Sequence, residues 1–364
     1  MSTLRVLWCP ACHGELELVT FGENAEGVNG AGSPSSIDGP SVGLLKCACG
    51  TAYPIIDGVP RLLEGGLGAF PEFLIRYEEE VRAQGCVNLT PQHTPSRQRK
   101  DDFDAIRKSY SEVWGIFDYD GDKTWGWTLE DRKRVFLGDV ALTEDQLRGK
   151  LLLDAGCGNG TLTAILSTLG LEVVGLDLHD RLGLANRQKA RYAPERLENV
   201  HFVQGNVFNP PLKHGSFDLI YCSGVIHRMP NTKESFKKLV PLVKKGGRLY
   251  VWVAGNRGLV IRMLKKPGRY LRRFMSLETL LNTCRVLAPF YRMVTGLLRS
   301  VRIANFRKRT VREITLDLFD SFSPPYAHHH SEEEVQGWFK EMGFTNITVS
   351  GRQRHGFGVY GDKV

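Results

Sequence analysis

One decapeptide constrains this chain more than any other: Leu151-Leu-Leu-Asp154-Ala-Gly156-Cys157-Gly158-Asn-Gly160. Its apolar start reads as a strand buried on both faces. The three glycines allow a tight turn and let a ligand approach bare backbone, and residues 161–169 then read as a helix. Asp177 ends the next apolar run, 172–177, about one strand–helix–strand unit later. A carboxylate there can accept hydrogen bonds from two ribose hydroxyls. A pyrophosphate site wants Gly-x-Gly-x-x-Gly. Here the third glycine comes one residue sooner, and Asp154 adds a carboxylate two positions ahead of the first. That combination suits a positively charged nucleoside better than a pyrophosphate. A lone Gly-x-Gly-x-Gly is shared by folds of several chemistries, so the weight falls on its context.

The context is a regular alternation. A helix is expected over 181–190, and further strands over 201–204, 217–222 and 248–254. Turn signals separate them, including Asn209-Pro-Pro and Lys245-Gly-Gly. Such a series folds as an open parallel sheet covered by helices on both faces. Residues 71–84 read as a helix, and Thr128 begins another. Ser331 caps a helix that Gly343 stops, with Glu334 completing a capping box. Two last strands are expected over 347–350 and 357–360.

Residues 150–254 resemble the class I S-adenosylmethionine-dependent methyltransferases, of the methyltransferase type 11 kind. Residues 154–160 resemble their first motif and Asp177 their ribose-binding acid. Gln204-Gly-Asn206-Val207 resembles the loop beside the adenine, with Asn206 where Asp is usual. Residues 217–227 resemble the strand and following turn that line the cofactor, and 245–249 the entry to the fifth strand. The resemblance implies a Rossmann-like seven-stranded α/β sheet. It also implies S-adenosylmethionine held by Asp154, Gly156, Cys157, Gly158, Gly160, Asp177, Leu178, Asn206, Val207, Ser223 and Gly224. Its methyl group would be attacked in line, with much of the catalysis coming from alignment. A base is optional; His227 could take a proton from a hydroxyl acceptor, or simply pack beside the cofactor.

Four of the eight cysteines form two tight pairs, Cys9-Pro-Ala-Cys12 and Cys47-Ala-Cys49. Four thiolates can enclose a structural zinc, supplying what a 60-residue segment lacks in core. The second pair is tighter than the usual spacing, so His13 is a substitute ligand, and a ribbon without metal is the alternative. No alternating strand–helix context surrounds Cys9 and Cys12 to suggest a redox pair. Residues 5–63 resemble the short zinc ribbons fused to, or partnering, class I methyltransferases. The chain then divides into a zinc-ribbon-like module at 1–64, a helical linker and aromatic cap at 65–150, a methyltransferase core at 151–256 and 326–364, and a basic helical lid insertion at 257–325.

Net charge is +8, but residues 257–312 hold fifteen Lys/Arg and one acid, Glu278, leaving −6 for the rest. The basic groups interleave with apolar ones. They could face water on a lid, meet an anionic substrate such as RNA, or touch a membrane surface peripherally. The aromatics at 110–127 read as a cover for the cleft, with Tyr110, Trp114 or Trp125 as stacking candidates. Residues 316–330 carry three adjacent histidines and read as a loop returning from the lid; His328 or His329 is a second candidate base. No run of eighteen apolar residues and no leader pattern is found, so a reducing, cytoplasmic location is expected.

These readings favour methyl transfer to an oxygen, nitrogen or carbon of a small molecule or natural product, because lid and aromatic cover would enclose a compact ligand. Methylation of a ribosomal RNA base is the alternative. Ribosomal RNA guanine methyltransferases also carry zinc ribbons, though the long lid is foreign to them. A non-catalytic adaptor keeping the fold is the third.

Overall fold

The computed structural model describes residues 3–21, 41–85, 97–116, 128–256, 270, 274–300, 309–353 and 355–364. The cleft-cover aromatics Phe117, Tyr119, Trp125 and Trp127, and most of the basic run 257–273, lie outside them.

Two sheets organise the chain. The first joins β1 (Leu16–Thr20), β2 (Gly43–Cys47), β3 (Ala52–Ile56) and β4 (Val59–Pro60) in antiparallel order. Asp57 and Gly58, both at positive φ, make the two-residue turn between β3 and β4. The second sheet joins β5 (Leu151–Ala155), β6 (Glu172–Asp177), β7 (Val200–Gln204), β8 (Phe217–Ser223), β9 (Val243–Ala254), β10 (Phe344–Gln353) and β11 (Gly356–Lys363). Their order is β10-β11-β9-β8-β5-β6-β7. The strands β5 to β9 are parallel, as their continuous apolar runs require; β11 runs antiparallel to β9 and β10 to β11. The sheet is therefore mixed rather than wholly parallel, since β10 and β11 form a hairpin. This is the Rossmann-like fold of class I methyltransferases. The order reverses at β5, which opens a crevice at the carboxyl ends of β5 and β8.

The helices are α1 (Pro71–Arg76), α2 (Glu78–Ala83), α3 (Arg97–Ile116), α4 (Leu129–Val140), α5 (Glu144–Leu147), α6 (Thr161–Ser167), α7 (Ala185–Tyr192), α8 (Thr232–Leu239), α9 (Leu277–Ser300), α10 (Val311–Phe322) and α11 (Glu332–Glu341). The helix expected over 71–84 breaks at Tyr77, whose ring packs against Phe21 and Phe73. The helix expected over 181–190 begins instead as a 3-10 turn, Asp180–Leu184. Thr128 does open α4, with a capping box to Asp131. At α11 only half the expected box forms. Ser331 Oγ accepts the Glu334 amide at 3.2 Å, but the Glu334 carboxylate turns to His330 Nδ1 at 3.0 Å.

The small sheet has its own strands but shares its core. Leu45, Tyr53, Ile55 and Leu62 belong to one buried cluster with Leu153, Leu176, Val203 and Val207 of the large sheet. Each such buried side chain contributes about 2 kcal/mol. Arg61 pairs with Gln204 in parallel, and the Leu62 amide donates to Gln204 O at 2.8 Å. In the insertion, α9 and α10 bury Leu280, Leu281, Cys284, Leu316 and Phe319 against Val113 of α3. Among the described residues, no helix is long and apolar enough to cross a membrane.

Candidate active site

Strand β5 is buried along its whole length and delivers Asp154 to the crevice. Asp154 is 3% exposed, and its Oδ2 accepts the Thr163 hydroxyl at 2.7 Å. Burial, with the charge of Asp177 adding to it, pushes this carboxyl up to about 7 against the lowering effect of Thr163. The loop after it is tied to β6: the amides of Gly156 and Cys157 donate to Leu176 O at 2.7 and 3.2 Å. Gly156 and Gly158 have φ of +90° and +56°. A methyl group on Gly156 would lie 2.1 Å from Val225, and one on Gly158 2.4 Å from the Trp114 ring. Only glycine fits this loop, and α3 and the turn after β8 lie directly against it. The Cys157 side chain leaves the crevice and packs with Leu182, Ala185 and Phe202.

Asp177 ends β6 and holds the loop from the other side. Its Oδ2 accepts the Gly158 amide at 2.8 Å, and its Oδ1 accepts the Leu178 amide at 2.7 Å. The Gly205 amide donates to Asp177 O at 2.9 Å, which brings the loop after β7 alongside. In that loop Asn206 Oδ1 accepts the Phe208 amide at 2.9 Å, so part of its acceptor capacity serves the turn. Val207 is buried behind it.

Sequence reasoning missed the node next door. Asp180 Oδ1 accepts Arg107 Nε at 2.7 Å and Gln204 Nε2 at 2.9 Å, and its Oδ2 accepts the Ser111 hydroxyl at 3.2 Å. Arg61 of the small sheet donates to Gln204 Oε1 and to Asp180 O, both at 3.3 Å. One carboxylate three residues past Asp177 thus fastens α3 and the end of β7, with the small sheet reaching its backbone. No local pattern signals it, because its partners lie up to 119 residues away.

Beyond β8, Ser223 is exposed, and Gly224, at φ +82°, donates to Trp252 O at 3.2 Å. The turn that follows carries His227, 4% exposed, with its ring edge-on to Trp252. The His227 carbonyl accepts the His328 amide at 2.8 Å, so the two histidines expected as bases are neighbours. His328 stacks on Tyr326. Three buried atoms here have no hydrogen-bond partner among the described residues: His227 Nδ1, His328 Nε2 and Trp252 Nε1. Burial, then Arg228 and the neighbouring histidines, hold His227 well below the usual imidazole range, and burial also lowers His328. His330 is spoken for, bridging Thr232 Oγ1 at 3.1 Å and Glu334.

Arg228 ties this turn to the insertion. It donates to Asp320 Oδ2 at 2.7 Å and Asp320 O at 2.8 Å, and to the Tyr110 phenol oxygen. Burial alone would lower the guanidinium; the Asp320 carboxylate and Tyr110 more than reverse that. Tyr326 reaches α3 through Asp102 at 2.7 Å. The turn after β8 is thereby linked to α10 and α3, and Tyr326 to α3.

In the N-terminal module, Sγ atoms of Cys9, Cys12, Cys47 and Cys49 lie within 4.8 Å of one another. Cys9 and Cys49 are 3.7 Å apart, and Cys12 and Cys47 3.4 Å. A tetrahedral zinc with bonds of about 2.3 Å needs sulfur separations of about 3.8 Å, so the quartet fits that ion. His13 is not required: its ring stacks on Trp8.

A methyltransferase domain model matches residues 153–251. A ubiquinone biosynthesis O-methyltransferase from Escherichia coli is 28% identical over 174 residues, 44% of this chain and 71% of the relative. Among solved structures, a Burkholderia thailandensis 1,6-didemethyltoxoflavin-N1-methyltransferase is 15% identical. It covers 76% of this chain and 94% of its own, with a TM-score of 0.44. A magnesium protoporphyrin IX methyltransferase from Synechocystis, with S-adenosylmethionine bound, is 16% identical. It covers 75% and 100%, with a TM-score of 0.43.

Proposed function

As an S-adenosylmethionine-dependent methyltransferase of class I, the chain must offer that cofactor an acceptor, and we propose that the acceptor is a hydroxyl oxygen of a small molecule enclosed between α3, the turn after β8 and the insertion. The observation that carries this reading is the buried imidazole of His227, whose Nδ1 has no partner among the described residues and whose basicity burial lowers. It is neutral across the physiological range and can take a hydroxyl proton. The E. coli relative, an O-methyltransferase by name, points the same way.

Bound S-adenosylmethionine supplies a methyl group on a positively charged sulfur. Asp177 would orient the ribose and the Asn206–Val207 loop would flank the adenine, while Gly156 and Gly158 let Val225 and Trp114 pack onto the loop beside it. The Cys157 backbone, Gly160 and Leu178 shape that wall, while Ser223 and Gly224 leave the acceptor side open. Asp154 supplies negative charge facing the cation. His227 removes the acceptor proton, with His328 beside it as the second candidate. For the sulfur quartet, we propose structural zinc.

The deciding experiment is transfer from labelled S-adenosylmethionine into separated RNA, protein, lipid and small-molecule fractions. Label in a hydroxylated small molecule supports the reading; label only in RNA, suppressed by salt, overturns it. We expect His227→Ala to lower kcat by about 10²–10³ with cofactor affinity unchanged. Its pH–rate profile should also lose the acidic limb that the imidazole creates. An unaltered profile would remove His227 from the chemistry.

Asp154 gives a second check. With its carboxyl near 7 in the free protein, it binds a proton below that pH. A cation beside it favours the ionised form and expels the proton. Affinity for S-adenosylmethionine should therefore climb as pH rises to about 7 and level off above. Calorimetry at pH 6.5 in buffers of different ionisation enthalpy should record proton release. Asp154→Asn should abolish it.

A further inference from the structure

In helix α9, Ala288 at mid-length is buried, as are Leu280, Leu281 and Cys284 near its start, where they meet α10. Beyond Cys284 it exposes Val286, Phe290, Tyr291, Met293, Val294 and Leu297, with Phe290 at 61%, Met293 at 65% and Leu297 at 65%. At 100° per residue these six fall within an arc of roughly 160°. Arg285 and Arg292, both exposed, follow a seven-residue spacing on the far side of that arc. Monomeric proteins rarely leave so continuous an apolar face to water. The surrounding sequence is the most basic in the chain, fifteen Lys/Arg against one acid over 257–312.

An apolar arc with a cationic opposite face is the pattern of a helix lying in a lipid interface, its apolar side among acyl chains and its charges at the headgroups. Nucleic acid fits less well, since phosphates offer nothing to Phe290, Met293, Val294 and Leu297. A second copy would be matched in hydrophobicity but would bring like charge to like charge. We propose that the exposed face of α9 docks the protein on an anionic lipid bilayer. The docking is independent of which molecule accepts the methyl group.

The test is co-sedimentation of the full chain with vesicles of phosphatidylcholine and phosphatidylglycerol at 3:1, alongside phosphatidylcholine alone. Binding to the anionic vesicles is expected, weakened in 0.5 M salt. The double substitution Phe290→Glu/Val294→Glu should weaken it at least about a hundredfold, the lower end of the loss expected for two buried apolar side chains. Both residues are solvent-exposed, so S-adenosylmethionine binding by the variant should equal the parent's and serves as the folding control. Arg285→Glu/Arg292→Glu should lower anionic binding with the apolar face intact. Equal retention of the Phe290/Val294 variant, or no binding to the anionic vesicles, overturns the proposal. So does light scattering that finds a dimer dissolved by that variant, or loss of RNA binding rather than of vesicle binding.

Discussion

Asp177→Asn should weaken S-adenosylmethionine binding by more than about 100-fold, since two charge-assisted hydrogen bonds to ribose hydroxyls contribute about 1.5–3 kcal/mol each. The substitution is nearly isosteric, so the effect is one of charge and polarity. In the native site one carboxylate oxygen accepts the Leu178 amide and the other the Gly158 amide. An Asn side chain can replace only one of these acceptors. Its NH₂ must then face an N–H, either that of Leu178 or that of Gly158. The loop would loosen where Trp114 leaves no spare room. Isothermal titration with the cofactor, and circular dichroism as a check of the fold, give the result. Unchanged affinity would mean that the nucleoside sits elsewhere, and the assignment of the crevice would fall.

Depriving the cysteine quartet of the zinc proposed for it should be nearly as damaging. Structural zinc contributes about 10–16 kcal/mol to isolated ribbons, and part of that is at stake here. Cys47→Ala should lower the metal content from one zinc per chain to near zero and reduce Tm by more than about 10 °C. Cofactor affinity should drop as well, because the loop after β7 is held by the small sheet. Asn209 Nδ2 donates to Pro10 O at 3.2 Å and to Glu64 at 3.0 Å. The Trp8 amide donates to Pro211 O, and Lys213 N donates to Val6 O. Elemental analysis, thermal melts and titration of chelator-treated protein would show all three effects. Metal-free protein with an unchanged melt would reduce the quartet to four ordinary thiols.

Much of this was legible locally. The strand at 172–177 ends where its last apolar residue meets Asp177, and the glycine spacing together with Asp154 sets this loop apart from the Gly-x-Gly-x-x-Gly pattern. What escaped reading was of two kinds. Long-range polar pairs have no local signature: Arg228 with Asp320 spans 92 residues, and nothing near Asp180 announces Arg61 or Arg107. Local rules also yield to tertiary competition. Glu334 had the position for a capping box, but His330 offered a better partner. Tyr77 broke a helix because its ring found Phe21 and Phe73. The histidine run at 328–330 looked uniform in sequence. Structure separates it: both ring nitrogens of His330 are hydrogen-bonded, whereas His328 Nε2 has no partner among the described residues.

The common core of the two sheets carries a consequence for birth on the ribosome. The N-terminal sheet emerges first and can gather its four sulfurs at once, yet Arg61 must wait for Gln204, 143 residues later. At synthesis rates of about 5–20 residues per second, that wait lasts roughly 7–30 s. During it the inner side of the nascent ribbon stays wet and adhesive. An early-captured ion would keep that half-finished piece in register until its docking strand arrives.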